Sequence, residues 1–173
     1  MSHPSQSGVT GWRPQAFLPI VLLTVCALGG CSERSEPGTV TTELSRPPVW
    51  RLEVGSHPLE VELALTSEEQ QRGLMYRTSL DANHGMLFIY DDEARRGFYM
   101  KNTYVPLAIA FIDRDRVIRD IREMKPLDEN TVWSGRATMY VLEANRGWFA
   151  GHGITPGTKV TFSPELEERL KFR

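Results

Sequence analysis

Along Leu59-Glu60-Val61-Glu62-Leu63-Ala64-Leu65 apolar and mostly polar side chains alternate. That is the period of a half-buried strand, with Leu59, Val61, Leu63 and Leu65 on one buried face. Trp50–Val54 precedes it and can pair with it across Gly55-Ser56-His57-Pro58. The period then changes. Thr66-Ser67-Glu68-Glu69 is a capping box with Thr66 as N-cap, and Gly73 ends a short helix predicted over Ser67–Arg72. Further strands are predicted at Met86–Tyr90, Gly97–Lys101, Leu107–Asp113, Arg116–Glu123, Thr138–Glu143 and Lys159–Phe162. Leu107–Ile112 is apolar on both faces, as a central strand is. Asp113-Arg114-Asp115-Arg116 is a tight polar turn. A second helix is expected over Ala144–His152, weakened by Gly147 and Gly151, and Ser163-Pro164-Glu165 can start another at the C-terminal end. Many short strands with turn signals between them predict an all-β sandwich or barrel with one or two short helices.

The first thirty residues follow another pattern. Arg13 is their only charged side chain apart from His3, and no acid precedes Glu33. The apolar run Ala16–Leu28 is about 13 residues, short of the ~20 that a helix needs to cross a bilayer. A basic start, a short apolar centre and small residues at the end make a secretory signal over 1–30. Its end, Leu28-Gly29-Gly30-Cys31, resembles the lipobox of bacterial lipoproteins. That resemblance implies that Cys31 becomes a lipidated N-terminus, and several acyl chains hold a protein on a membrane far better than one. Ser32, where an Asp would retain the protein at the inner membrane, implies the outer membrane in a Gram-negative cell. The alternative is an ordinary cleaved signal followed by an incidental cysteine.

After the lipidated cysteine, Ser32–Pro48 is rich in Ser, Thr, Glu and Pro, with little to bury. Residues 31–48 therefore read as a solvated tether, reaching roughly 22 Å if it behaves as flexible coil. Residues 49–173 form the domain. Of the 2 cysteines, Cys26 leaves with the signal and Cys31 carries lipid. The mature domain then has no thiol for a disulfide, a nucleophile or a thiolate metal site, even in an oxidising compartment. The whole chain carries −2, from 20 basic and 22 acidic residues, and the mature chain −3. This balance does not suggest a nucleic-acid surface.

Several strings in the domain form a recognisable series. They are Arg72-Gly73-Leu74-Met75-Tyr76-Arg77, Gly85-Met86-Leu87-Phe88, Phe98-Tyr99-Met100-Lys101-Asn102-Thr103 and Pro106-Leu107. Tyr140-Val141-Leu142-Glu143, Gly147-Trp148 and Gly153-Ile154-Thr155-Pro156-Gly157 complete it. Over about Glu60 to Phe162 the chain resembles the uncharacterised prokaryotic family called domain of unknown function 192. The resemblance implies a compact, jelly-roll-like β-fold, often exported, with no established activity. Two positions depart from the family. Ala108 stands where an Asp commonly follows Pro-Leu, and Arg114–Arg116 lacks the usual turn glycine.

The candidate chemistry gathers at a strand end. Lys101, Asn102 and Thr103, joined by Arg72 and Arg77 from the helix and its exit, could bind a carboxylate, phosphate or sulfate and fix its orientation. They could equally be structural, with Asn102 and Thr103 satisfying turn backbone and the arginines tying helix to sheet. Glu143, on an otherwise apolar strand, is the carboxylate expected to be partly buried. It is a candidate general base or the ion-pair partner of Arg72 or Arg136. Met75, Met86, Met100, Met124 and Met139 allow a thioether copper site, against which methionine is ordinary core filling. His57, His84 and His152 lack zinc spacing and read as loop residues. Asp91-Asp92-Glu93 with Arg95-Arg96 reads as a solvated turn. Trp133, Trp148, Phe149, Tyr99 and Tyr140 could line a sugar groove, against which Trp148-Phe149 is expected to anchor the second helix on the sheet.

The first reading is thus a non-catalytic, membrane-tethered binding or accessory module of the cell envelope, facing the periplasm. Its partners would be the membrane, through Cys31, and an anionic or saccharide ligand or an envelope protein. It needs no cofactor and no metal. The alternatives are an envelope-acting hydrolase or transferase using Glu143 and Lys101, and a copper-binding protein.

Overall fold

The computed structural model describes residues 47–172. The leader, Cys31 and the tether up to Arg46 lie outside the described residues. The strands are β1 (Trp50–Val54), β2 (His57–Ala64), β3 (His84–Ala94), β4 (Gly97–Phe98), β5 (Leu107–Ile112), β6 (Ile118–Met124), β7 (Val132–Trp133), β8 (Thr138–Asn145) and β9 (Val160–Phe162). The helices are α1 (Ser67–Arg72), α2 (Trp148–Gly151) and α3 (Pro164–Leu170).

The all-β class holds. Seven strands form one curled sheet, a half-barrel in the order β6-β5-β8-β3-β2-β1-β9, and β4 with β7 makes a separate two-stranded ribbon. Every pair is antiparallel except β2–β3. A parallel pair cannot be joined by a hairpin and needs a crossover. That is why α1 lies between β2 and β3. At one end the curl brings the sheet's outer strands together, where Val117 bridges Lys159 and the Ile118 amide donates to the Thr158 carbonyl at 2.9 Å.

Alternation along the central strands separates two cores. In β5, Ala108, Ala110 and Ile112 face a core shared with Leu59, Leu142, Phe149 and Leu166. Leu107, Ile109 and Phe111 face the other, with Met86, Phe88, Met100 and Val141. Helices α2 and α3 cover the first core, and the loops after α1 and β4 cover the second. Fully burying one such phenylalanine stabilises the fold by up to about 3 kcal/mol.

Several boundaries differ from expectation. The acidic stretch Asp91-Asp92-Glu93 is the far end of β3 rather than a solvated turn, held by the Arg96–Asp92 and Arg114–Glu93 ion pairs at 2.6 and 2.7 Å. Strand β4 stops at Phe98, because the Met100 amide turns away to the Asp128 carbonyl at 2.8 Å. Ala144 and Asn145 remain in β8, paired with Ala108 and Leu107, so α2 starts only at Trp148. Strand β7 carries no pattern long enough to predict, and α3 makes a third helix where one or two were expected. The turn between β5 and β6 takes Arg116 to a φ of +61°. Its guanidinium spans the Glu167 carboxylate and lies 4.1 Å over the Phe162 ring, which holds a residue other than glycine there.

Candidate functional site

The site begins with α1. The Thr66 hydroxyl accepts from the Glu69 amide at 3.2 Å, and the Glu69 carboxylate accepts from the Thr66 and Leu65 amides. These bonds hold the Glu69 pKa below the usual carboxylate range. The helix buries no side chain of its own. Gln70 ties it to the sheet by donating to the Ile89 carbonyl at 2.9 Å. Its end turns at Gly73, whose φ of +46° and ψ of −134° suit only glycine, and a Cβ there would lie 3.3 Å from the Phe88 ring.

Between this turn and β4 lies a cavity of about 240 Å³. Phe88 and Glu143 form part of its wall from the sheet, Phe98 and Met100 from the segment around β4, and Arg72 from the end of α1. Glu143 sits in β8 between Met86 of β3 and Ile109 of β5. It is 5% exposed, and no hydrogen bond or ion pair to it is found among the described residues. Burial alone pushes its pKa up to about 8, because a low-dielectric site penalises the charged form. At neutral pH it is mostly a protonated acid, able to donate a hydrogen bond or to ionise when a cation arrives. Tyr90, also lining the cavity, is pushed up by burial to about 12, and the Arg96 guanidinium lies 3.9 Å over its ring.

The structure divides the sequence-derived cluster. Thr103, 4% exposed, lines the cavity with Glu143 and Arg72, and its hydroxyl donates to the Lys101 carbonyl at 3.2 Å. Lys101 is exposed and does not line the cavity. Asn102 serves the turn: at φ +54° its amide donates to the Tyr76 hydroxyl at 2.9 Å, and its carbonyl accepts from the Tyr76 amide. Arg77 is committed elsewhere, donating to Glu62 at 2.6 Å. The expected pairing of Glu143 with Arg72 or Arg136 is not formed. Met86, Met100 and Met124 lie in the second core, whereas Met75 and Met139 are partly buried. Among the described residues no three His, Cys, Asp or Glu side chains converge as a metal site. Trp133 and Tyr99 are exposed, Tyr140 is half-buried, and Trp148 and Phe149 are the buried residues of α2.

Two buried residues escape the sequence pattern. Glu62 is 4% exposed and His84 3%, with 3.2 Å between the His84 ring nitrogen and the Glu62 carboxylate. The alternation in β2 puts Glu62 on a polar face, but that face is covered as well. His84, read as a loop residue, begins β3. Sequence alone carries no sign of the buried carboxylate, because its Arg77 partner lies 15 residues further along the chain. Glu62 and Glu143 flank Met86 on neighbouring strands, so their backbones stand about 10 Å apart, twice the strand spacing. Arg77→Ala leaves Glu62 without its full countercharge and is expected to cost about 3 kcal/mol. Lys101→Ala is expected to stay within about 0.5 kcal/mol. Urea unfolding compares the two, and equal losses would contradict this placement.

Residues 50–162 match the family described as uncharacterised ACR proteins, DUF192. No functionally curated protein matches the chain. Among solved structures, a protein of unknown function from Novosphingobium aromaticivorans is 37% identical with a TM-score of 0.65, covering 69% of this chain and 89% of its own. A protein described as a candidate transcription regulator from Sinorhizobium meliloti is also 37% identical, with a TM-score of 0.62, covering 66% of this chain and 92% of its own.

Proposed function

For a chain that belongs to the uncharacterised DUF192 family, we propose the role of a non-catalytic binding module of the cell envelope. It is held to the membrane through acylated Cys31, faces the periplasm, and takes a small ligand in the cavity beside Glu143. The observation that carries this reading is a buried, unpartnered carboxyl group facing a preformed cavity. An unpaired polar group at such depth costs stability, and strongly shifted groups in clefts mark functional sites.

The catalytic alternative draws support from the same raised pKa, which suits a general acid. It lacks the expected second group, because Lys101 stands outside the cavity. Tyr90 stays protonated throughout the physiological range. Regulation of transcription, suggested by the name of one structural neighbour, finds little electrostatic support. Arginines that could meet phosphates are matched by acids, as in Arg96–Asp92, Arg119–Asp113 and Arg122–Asp120.

One experiment tests both halves of the proposal. The full chain, purified from membranes, is compared with Glu143→Leu after incubation with a small-molecule extract of the envelope, and with Cys31→Ser by fractionation. The wild type is expected to enrich a low-mass species unchanged, Glu143→Leu is expected not to, and Cys31→Ser is expected to leave the membrane. Equal enrichment by Glu143→Leu removes the cavity from the account. Conversion of the species favours the enzyme, and Cys31→Ser persisting in membranes removes the anchor.

A further inference from the structure

Resting on the binding reading above, we propose that the cavity selects a small zwitterion: an alkylated ammonium group against Glu143 among aromatic rings, with its anionic end beside Arg72. Three features support this ligand class. The first is the ring content. Phe88, Tyr90, Phe98 and Tyr99 all line a cavity of about 240 Å³, below the ~300 Å³ lower end for drug-sized ligands. Phe88 and Phe98 meet edge to face with centroids 5.0 Å apart. Aromatic faces attract cations, most strongly where water is excluded. With one Tyr90 face taken by the Arg96 guanidinium 3.9 Å from its centroid, Phe88, Phe98 and Tyr99 are the rings left to receive one.

The second feature is that Glu143 is the one anionic acceptor in the lining. A primary ammonium brings three N–H donors that need partners. Apart from Glu143, the polar side chains lining the inner part, Thr103 and Gln70 among them, offer only neutral oxygens. Thr103 donates to Lys101, and Gln70 donates to Ile89 and, at 3.4 Å, to Ala64. An alkylated nitrogen needs no hydrogen bonds and presents methyl groups to the rings.

The third feature is the order of charge. Glu143 is buried and Arg72 is exposed, so a zwitterion entering cation first satisfies both, whereas a simple cation meets only repulsion from Arg72. The cavity around Glu143 is lined by Tyr90 from β3, Phe98 from β4, Thr103 and Met100 from the loop and Arg72 from α1. Ile109 of β5 is its register partner and the Arg96 guanidinium lies over Tyr90, and none of these groups pairs with its carboxylate. Binding therefore ionises Glu143 and releases one proton at pH 7. Affinity climbs as pH rises, approaching tenfold per unit, and levels off near pH 8, where the free acid ionises by itself.

Titration calorimetry of the full chain tests the proposal with two probes of nearly one shape. These are glycine betaine and 3,3-dimethylbutanoate, which carries carbon in place of the charged nitrogen. Betaine is expected to bind one to one, at least tenfold tighter than the isostere. Glu143→Gln is expected to erase that preference while melting no lower than wild type. Arg72→Ala is expected to weaken betaine more than choline, which has no anionic end. Equal binding of the isostere, or no saturable betaine binding at millimolar concentration, overturns the inference. If the wild type still enriches an envelope compound over Glu143→Leu, only the ligand class fails; without that enrichment the binding reading fails too.

Discussion

Gly85→Ala is expected to destabilise the protein by about 3 kcal/mol or more, enough to consume much of a typical domain's total stability. A Cβ at Gly85 would lie 2.3 Å from the Glu143 carbonyl oxygen, a distance that no real Cβ contact shows. The obstructing atom is backbone, at the end of the β3–β8 pairing, where Gly85 stands opposite Ala144. It cannot swing aside as a flexible side chain would. Relief requires the two central strands to part, which also moves Glu143 relative to the cavity. Gly135→Ala is the control, since its nearest neighbour is the Asp120 carboxylate at 3.9 Å, and a change within about 0.5 kcal/mol is expected there. Urea denaturation of both variants gives the comparison. A Gly85→Ala loss below about 1 kcal/mol would show that the strands can separate cheaply.

The other large effect is a dependence of stability on pH that belongs to one residue. Glu143 holds its proton in the folded state up to about pH 8, whereas the unfolded chain releases it near the ordinary value. Below the unfolded pKa both states are protonated, and Glu143 carries no charge penalty. Between that value and pH 8 the folded state binds the extra proton, so stability falls as pH rises, by up to about 1.4 kcal/mol per unit. Above pH 8 the penalty is complete, on the order of 5 kcal/mol. Glu143→Gln is expected to remove this slope, equalling wild type near pH 4 and exceeding it clearly at pH 9. Parallel unfolding curves across that range would mean that Glu143 has a partner or water enough to ionise freely. The same substitution abolishes the proposed selectivity, so at this position stability and recognition oppose each other.

Much of the fold is legible where one side of the chain decides. The doubly apolar β5 and the Thr66–Glu69 cap act locally and appear as read, whereas the alternation in β2 buries Leu59 and Val61 but leaves Leu63 and Leu65 partly exposed and buries Glu62 on the other face. Strand β7 and the end of β4 are fixed by tertiary bonds, such as Met100 to Asp128, and two-residue strands have no period to detect. The site is legible in part. Glu143 stands out because it interrupts an apolar strand, but its solitude is visible only once Arg72 is seen to leave it unpaired. Arg77 looks like a ligand residue because a buried Glu62 cannot be told from a surface Glu62 by alternation alone. Both faces of the sheet are covered, and that is a property of topology.

The bridge between Val117 and Lys159 has a bearing on life at high local density. Open sheet margins offer a neighbouring molecule unspent amides and carbonyls. Here one end of each margin is consumed by the other. What remains of β6 is studded with Arg119, Asp120, Arg122 and Glu123, and β9 is only three residues long. For copies confined to a membrane surface, as proposed through Cys31, encounters are frequent and their relative orientation is restricted. A sheet fastened to itself in this way can be crowded in two dimensions without growing into a ribbon of copies.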